Sequence, residues 1–148
     1  MDNQSSIPEC IFCEICKNTI DSHKLYEDEI CCAILDINPA VPGQTLIIPK
    51  QHIPIIPLAK EEVSSHLFIV AKKISKVLLQ TLNASGTNIF IQNGVAAGQT
   101  SSHSLINIIP RINEDKLTAF NLEKNEVSEK IQKQIFEMIH PKIQEVLK

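Results

Sequence analysis

The chain has 148 residues, enough for one domain with a sizeable core. Its hydrophobic fraction of 43% and charged fraction of 21% are ordinary for a globular protein. The net charge of -3, with no stripe of lysine or arginine, argues against a nucleic acid as the main partner.

The N-terminal sequence and the cysteine content together predict a compartment. The first ten residues, MDNQSSIPEC, lack the basic start and apolar run of a signal peptide, and no apolar stretch is long enough to span a bilayer. Five cysteines, an odd number, favour free thiols or metal ligands over a disulfide framework. We therefore expect a cytoplasmic protein that does not enter membranes.

The first predicted elements are short. Residues 1–9 read as a polar leader, and a CxxCxxC run, CIFCEIC, follows at positions 10–16. Residues 25–27 and 30–35 predict two short strands around an acidic turn.

A turn, a strand and a long helix follow in the middle of the chain. Residues 36–43, DINPAVPG, predict a turn, and residues 44–49, QTLIIP, predict a buried strand. A proline-rich connection leads to residues 60–82, where apolar side chains recur at three- and four-residue spacings and predict the first long helix. Residues 88–92, NIFIQ, predict another strand.

The segment from residue 93 to residue 111, NGVAAGQTSSHSLINIIPR, is central to the predicted fold. Its glycines mark a turn, and its apolar run predicts a buried strand. Because side chains alternate along a strand, His103, Leu105 and Asn107 are predicted to share one face.

Residues 113–148 are predicted to form a linker and a C-terminal helix. Apolar residues recur at helical spacing from about residue 126 to residue 147, and Pro141 is expected to kink this helix or end it early. Strands that can pair antiparallel, with one long helix between the third and the fourth, indicate an α+β fold.

Three stretches resemble the histidine triad (HIT) superfamily of nucleotide hydrolases and transferases: CIFC, DINPAVPGQTLIIPKQHI and the segment ending in INIIPR. The family signature is a glycine-glutamine pair, three histidines at alternate positions and two apolar residues. Here Gly98 and Gln99 precede His103 in the first triad position, whereas the second is Leu105 and the third is Asn107. The resemblance implies a HIT domain over residues 10–112, with a five-stranded antiparallel sheet and a long helix on one face. The apolar periodicity adds the C-terminal helix. The resemblance also implies a homodimer.

The resemblance further implies a structural zinc ion. In the zinc-binding branch of the family, the ligands match Cys10, Cys13, His52 and His103. Two thiolates and two imidazoles suit tetrahedral zinc, although the spacing alone would not reveal such a site. The competing interpretation is a chance pair of buried thiols. An iron–sulfur site ranks lower, because Cys31 and Cys32 fit no compact cluster spacing; they are expected in a strand, one facing inward and one outward.

A nucleotide pocket is implied in the same way. Asp36 matches the family residue that holds the ribose, and the residues suited to sandwich the base are Ile11, Phe12 and Ile37. The residues that match the phosphate-contacting turn are Asn93, Gly98, Gln99 and Thr100. Taken singly, each residue has an ordinary turn-forming interpretation. Taken together, they predict a purine nucleotide or a phosphorylated small molecule as ligand.

The broken triad decides between the functional hypotheses. In the family the middle histidine is the nucleophile, and Leu105 has no lone pair with which to attack phosphorus. His23, His66 and His140 are expected to be surface or edge residues. The leading hypothesis is therefore a zinc-stabilised nucleotide-binding pseudoenzyme. One alternative is a hydrolase or transferase of nucleoside phosphoramidates or dinucleoside polyphosphates that acts by direct attack of water. Another is a dimeric scaffold with an occluded pocket.

Overall fold

A computed structural model of the protein describes residues 10–120 and 122–147, and the leader predicted at residues 1–9 lies outside them. The elements run in chain order as α1 (Ile11–Cys16), β1 (Lys24–Glu27), β2 (Cys31–Leu35), β3 (Thr45–Pro49), α2 (Glu61–Thr81), β4 (Gly86–Phe90), β5 (Ile106–Arg111) and α3 (Glu129–Val146). Short 3-10 helices span Ile56–Leu58 and Val95–Ala97.

The five strands form one antiparallel sheet in the order β1-β2-β3-β5-β4. The central strands β3 and β5 pair Thr45 with Ile108 and Ile47 with Ile106, which joins the middle of the chain to the segment before Arg111. The predicted five-stranded sheet with a long helix is therefore confirmed. The strand of the triad segment begins at Ile106, so His103 and Leu105 precede it rather than lie within it.

Helix α2 covers one face of the sheet. Leu67, Val70, Ala71 and Leu78 recur at helical spacing and pack with the strand residues in one apolar cluster. The strand residues of this cluster are Cys31, Ala33, Ile47, Ile106 and Ile108. This packing fixes the position of every other residue on α2 relative to the sheet.

Helix α1 covers the opposite face. Its buried residues Ile15 and Cys16 pack against Cys32, Ile34 and Ile48 in a second cluster. Cys31 and Cys32 were expected to face inward and outward, but both are fully buried. The physical reason is that each face of the sheet carries a helix, so both directions along β2 lead into apolar packing.

The chain divides into two compact units after Asp115. The second unit contains α3, which begins after Ser128, whose hydroxyl accepts a hydrogen bond from the Ile131 N–H at 3.4 Å. Of the two effects expected of Pro141, early termination does not occur, because α3 continues through it to Val146, and the kink remains a prediction. The predicted boundary at residue 112 remains a prediction. Among the described residues, no helix is both long and apolar enough to cross a membrane.

Candidate metal and nucleotide site

The two cysteines of CIFC come together because the run is helical. Cys10 is the N-cap of α1 and Cys13 lies three residues further along it. Residues three apart lie on the same side of a helix, so both thiols point the same way. The sequence pattern indicates the thiol pair but does not predict a helix here.

The four predicted metal ligands form one cluster, with all four ligand atoms within 4.8 Å of one another. The Cys13 sulfur lies 3.3 Å from His52 Nδ1 and 3.5 Å from His103 Nδ1. The Cys10 sulfur lies 3.4 Å from His103 Nδ1. Ligands bound to one tetrahedral zinc ion lie about 3.3–3.8 Å apart, given zinc bond lengths of about 2.0–2.3 Å. The cluster therefore has the donor types that zinc prefers, and three of its six ligand pairs have the separations of a bound set.

A backbone carbonyl orients His103. Its Nε2 lies 2.9 Å from the Pro49 carbonyl oxygen, which can only accept a hydrogen bond, so Nε2 carries the proton. The Nδ1 lone pair is consequently directed at the two thiols, as in zinc sites where the second ring nitrogen is bonded to a carbonyl. Burial lowers the pKa of His103, which favours the neutral imidazole that can bind a metal ion.

The surroundings of the cluster are partly apolar. Phe12 and His52 both meet the His103 ring edge-on, with centroid separations of 6.1 Å and 4.9 Å. Burial, followed by the hydrogen bond with Cys10, raises the pKa of the Cys13 thiol. A bound cation reverses this effect because it stabilises the thiolate.

The other two triad positions hold no nucleophile. Leu105 is half-buried and packs, like Phe12, against the apolar cluster on the α1 face. Asn107 is buried, and its amide oxygen accepts a hydrogen bond from Gln44 Nε2 at 3.2 Å. An aliphatic side chain and a neutral amide cannot attack phosphorus or carry protons near neutral pH.

The predicted phosphate turn is held by its own side chains. Asn93 Oδ1 accepts from the Ile56 N–H at 3.0 Å, and Gln99 Oε1 accepts from the Gly94 N–H at 2.6 Å. Gln99 Nε2 donates to the carbonyls of Pro54 and Ser101. These two amides therefore shape the turn. The N–H groups of Ala97, Gly98 and Gln99 also bond carbonyls within it, so the groups left for an anion are Asn93 Nδ2, the N–H groups of residues 100–102 and the hydroxyls.

Glycine is required in this turn. Gly98 has a φ of +86°, a conformation that L side chains rarely adopt. A Cβ atom added there would lie 2.5 Å from Gln92 Nε2. The turn borders a shallow cavity of about 250 Å³, which Gln99 and Thr100 help to line. The other lining residues are Pro54, Ile55, Gly94, Val95, Ser101 and Ser102.

The residues predicted for the ribose and the base do not line this cavity. Asp36 is half-buried, and its Oδ1 accepts a hydrogen bond from the Asn38 N–H at 2.9 Å, which leaves Oδ2 as the oxygen for a ligand. Ile11 and Ile37 are exposed and present apolar surface to solvent, whereas Phe12 is half-buried.

Two contributors to the site had no signal in the sequence. The Pro49 carbonyl is a backbone group, and only the fold brings it to His103. The Gln44–Asn107 bond joins residues 63 positions apart, across the β3–β5 pairing. Asn107 stands out in the sequence as the third triad position, but no local pattern indicates Gln44 as its partner.

The HIT domain family model matches residues 17–114. The chain is 38% identical over 111 residues to adenylylsulfatase HINT3 of Arabidopsis thaliana, a match that covers 75% of the chain and 56% of that protein. It is 34% identical over 114 residues to the asymmetrical bis(5'-nucleosyl)-tetraphosphatase of Schizosaccharomyces pombe, covering 74% of the chain and 63% of that protein. The chain thus spans less than two thirds of the length of these two relatives.

Solved structures share the fold. The protein SMU.412c from Streptococcus mutans UA159 superposes with a TM-score of 0.86 at 33% identity, covering 97% of this chain and 90% of that chain. A zinc-bound histidine triad family protein from Mycobacterium smegmatis superposes with a TM-score of 0.71 at 29% identity, covering 93% and 97%.

Proposed function

The chain belongs to the HIT family, and from this premise we propose that it is a zinc-stabilised nucleotide-binding protein that lacks the family's nucleophilic step. The observation that carries the proposal is a contrast within one segment. His103 is buried and faces the two thiols, whereas Leu105, two residues later, puts an aliphatic side chain in the nucleophile position. The metal cluster is thus complete while the reacting group is missing.

Zinc is supported by donor chemistry and by a neighbour. Cys10, Cys13, His52 and His103 supply two sulfurs and two nitrogens, the set of a closed structural site. A zinc-bound member of the same family superposes on the chain. The ion would tie α1 to the segments that carry the two histidines, and with four protein ligands it would have no open position for chemistry.

A nucleotide ligand is supported by the two curated relatives. By their names, one of these proteins acts on an adenylyl sulfate and the other on a dinucleoside tetraphosphate. Asp36 keeps one carboxylate oxygen that its turn does not use, and exposed Ile11 and Ile37 lie at positions suited to a base. We propose that the protein binds a purine nucleoside monophosphate through these residues and through the N–H groups and hydroxyls of residues 100–102, which line the cavity beside the turn.

Calorimetric titration with AMP and with GMP tests this binding. Wild type is expected to bind at least one of them, and Asp36→Ala is expected to weaken binding about ten-fold or more, since a charged hydrogen bond contributes about 1.5–3 kcal/mol. Asp36→Asn keeps a side-chain oxygen for the Asn38 N–H but removes the negative charge. It therefore distinguishes disruption of the turn from loss of the charged contact with the ligand. Asp21→Ala, at an exposed position, is the control. The absence of binding at millimolar nucleotide would favour the scaffold hypothesis.

We also propose that the protein is a homodimer. Helix α2 exposes Phe68 at 49% and Ile69 at 51%, apolar surface that its own sheet does not cover. Light scattering is expected to give twice the chain mass of 16.5 kDa. Phe68→Glu should shift the protein toward the monomer, and Lys124→Glu, an exposed charge change outside α2, should not. A wild type that remains at the chain mass at micromolar concentration would contradict the dimer.

A further inference from the structure

A second cluster of metal-ligating side chains lies on the α2 side of the sheet. Asp28, Cys31 and His66 bring one carboxylate oxygen, one thiol sulfur and one imidazole nitrogen within 4.8 Å of one another. We propose that these three residues bind a second divalent transition-metal ion of the zinc class, with water as the fourth ligand. The proposal does not depend on nucleotide binding or on the first metal site.

The carboxylate is fixed by hydrogen bonds that metal binding would leave intact. Asp28 Oδ1 accepts from the N–H groups of Ile30 and Cys31, both at 2.8 Å. Tyr26 donates its hydroxyl to Oδ2 at 2.7 Å. Carboxylate ligands of metal ions are commonly held by such outer hydrogen bonds. The turn between β1 and β2 therefore presents Oδ2 in a defined direction.

Helix α2 supplies the nitrogen ligand. His66 Nε2 lies 2.6 Å from Asp28 Oδ2, and the neighbouring residue Leu67 is fully buried in the core, which fixes this turn of the helix. A metal ion between the two atoms would replace the shared proton and separate them to about 3.3 Å, given zinc bond lengths of about 2.0–2.2 Å. The side chains are 30% and 23% exposed, so His66 and Asp28 have room to move and an ion has a path of entry.

Cys31 supplies the sulfur ligand. It is fully buried, and burial together with the nearby Asp28 carboxylate raises the pKa of its thiol to about 12. Without a metal ion it is therefore a thiol, and a bound cation would displace its proton and form the thiolate. An ion pair between His66 and Asp28 alone would not account for a thiol sulfur within 4.8 Å of both side chains.

The donor set defines the class of ion. One sulfur, one nitrogen and one oxygen suit zinc, cobalt or cadmium, whereas magnesium and calcium prefer oxygen ligands alone. Three protein ligands leave one coordination position open, unlike the four-ligand cluster of Cys10, Cys13, His52 and His103. Cys31 packs on the α2 side of the sheet, whereas Cys10 and Cys13 are carried by α1, which covers the opposite face.

Metal stoichiometry tests the proposal. The stripped full-length protein is dialysed against micromolar zinc and then assayed for bound metal and for thermal unfolding. Wild type is expected to hold about two zinc ions per chain, and His66→Gln and Cys31→Ala about one each. His23→Gln, which alters an exposed histidine outside both clusters, should retain both ions. Cys13→Ser should lose the other ion, so failure of one site is distinguishable from failure of the other.

Cadmium-113 NMR of the wild type gives a reading that does not depend on the folding of a variant. Two resonances are expected, one from a site with two sulfur ligands and one from a site with a single sulfur. A cadmium-saturated wild type that gives no resonance from a single-sulfur site would overturn the proposal. Unchanged stoichiometry in folded His66→Gln and Cys31→Ala would also overturn it.

Discussion

Replacement of His52 with glutamine is expected to release the zinc ion of the first cluster and to lower the melting temperature by more than about 10 °C. His52 is exposed, so the change removes little packing, and the effect reports mainly on the metal. Structural zinc contributes about 10–16 kcal/mol of apparent binding free energy in small zinc domains, so losing one ligand in four costs several kcal/mol. Cys13→Ser should have an effect of the same size.

Two controls separate metal loss from side-chain loss. His23→Gln changes another exposed histidine and should leave zinc content and melting temperature unchanged. A chelator should lower the melting temperature of wild type more than that of His52→Gln, which can hold only the ion of the Asp28, Cys31 and His66 cluster. A purified wild type that contains no zinc and melts identically with and without chelator would refute the structural role.

Much of the fold could be predicted from the local spacing of apolar residues in the sequence. The apolar spacing from Val63 to Leu78 predicted α2, since three- and four-residue repeats generate one buried side on a helix. The runs before Pro49 and Pro110 predicted β3 and β5, because continuous apolar segments bounded by turn residues are typical of buried strands. The four metal-ligand candidates followed from the family resemblance, and the structure brings them together.

Other features depended on contacts that no local pattern encodes. Helix α1 has only six residues and was not predicted, because a single turn or two carries too little periodicity to detect. Whether Cys32 faces solvent or core depended on α1 covering its face of the sheet. The Asp28–His66 contact joins residues 38 positions apart, and only the packing of α2 on the sheet brings them together.

The unmodified protein is expected to hydrolyse an adenosine phosphoramidate negligibly and to form no covalent nucleotidyl adduct. Loss of a nucleophile from a catalytic unit typically costs about 10⁴–10⁶ in rate. Leu105 occupies the nucleophile position, and the Asn107 amide oxygen accepts a hydrogen bond from Gln44. Rates with the phosphoramidate, and mass spectrometry of protein quenched after mixing, measure the two expectations separately.

Leu105→His alone is expected to restore little activity, because an imidazole needs a partner to fix its tautomer and direction. Asn107→His alone supplies a partner without a nucleophile and should also restore little. The double variant is expected to exceed the sum of the singles, since the two side chains act as a unit. Leu122→His, at a side chain that is 85% exposed, controls for an added histidine.

The geometry of His103 limits the size of the rescue. Its Nδ1 faces the thiols of Cys10 and Cys13, and its Nε2 donates to the Pro49 carbonyl, so neither nitrogen is available to a new histidine at position 105. The double variant should therefore gain activity over wild type and yet depend on Asn107→His for orientation. Robust turnover by the wild type, abolished by a substitution outside residues 103–107, would contradict this account. That result would favour a hydrolase whose nucleophile is water, because the described chain offers no imidazole at the nucleophile position.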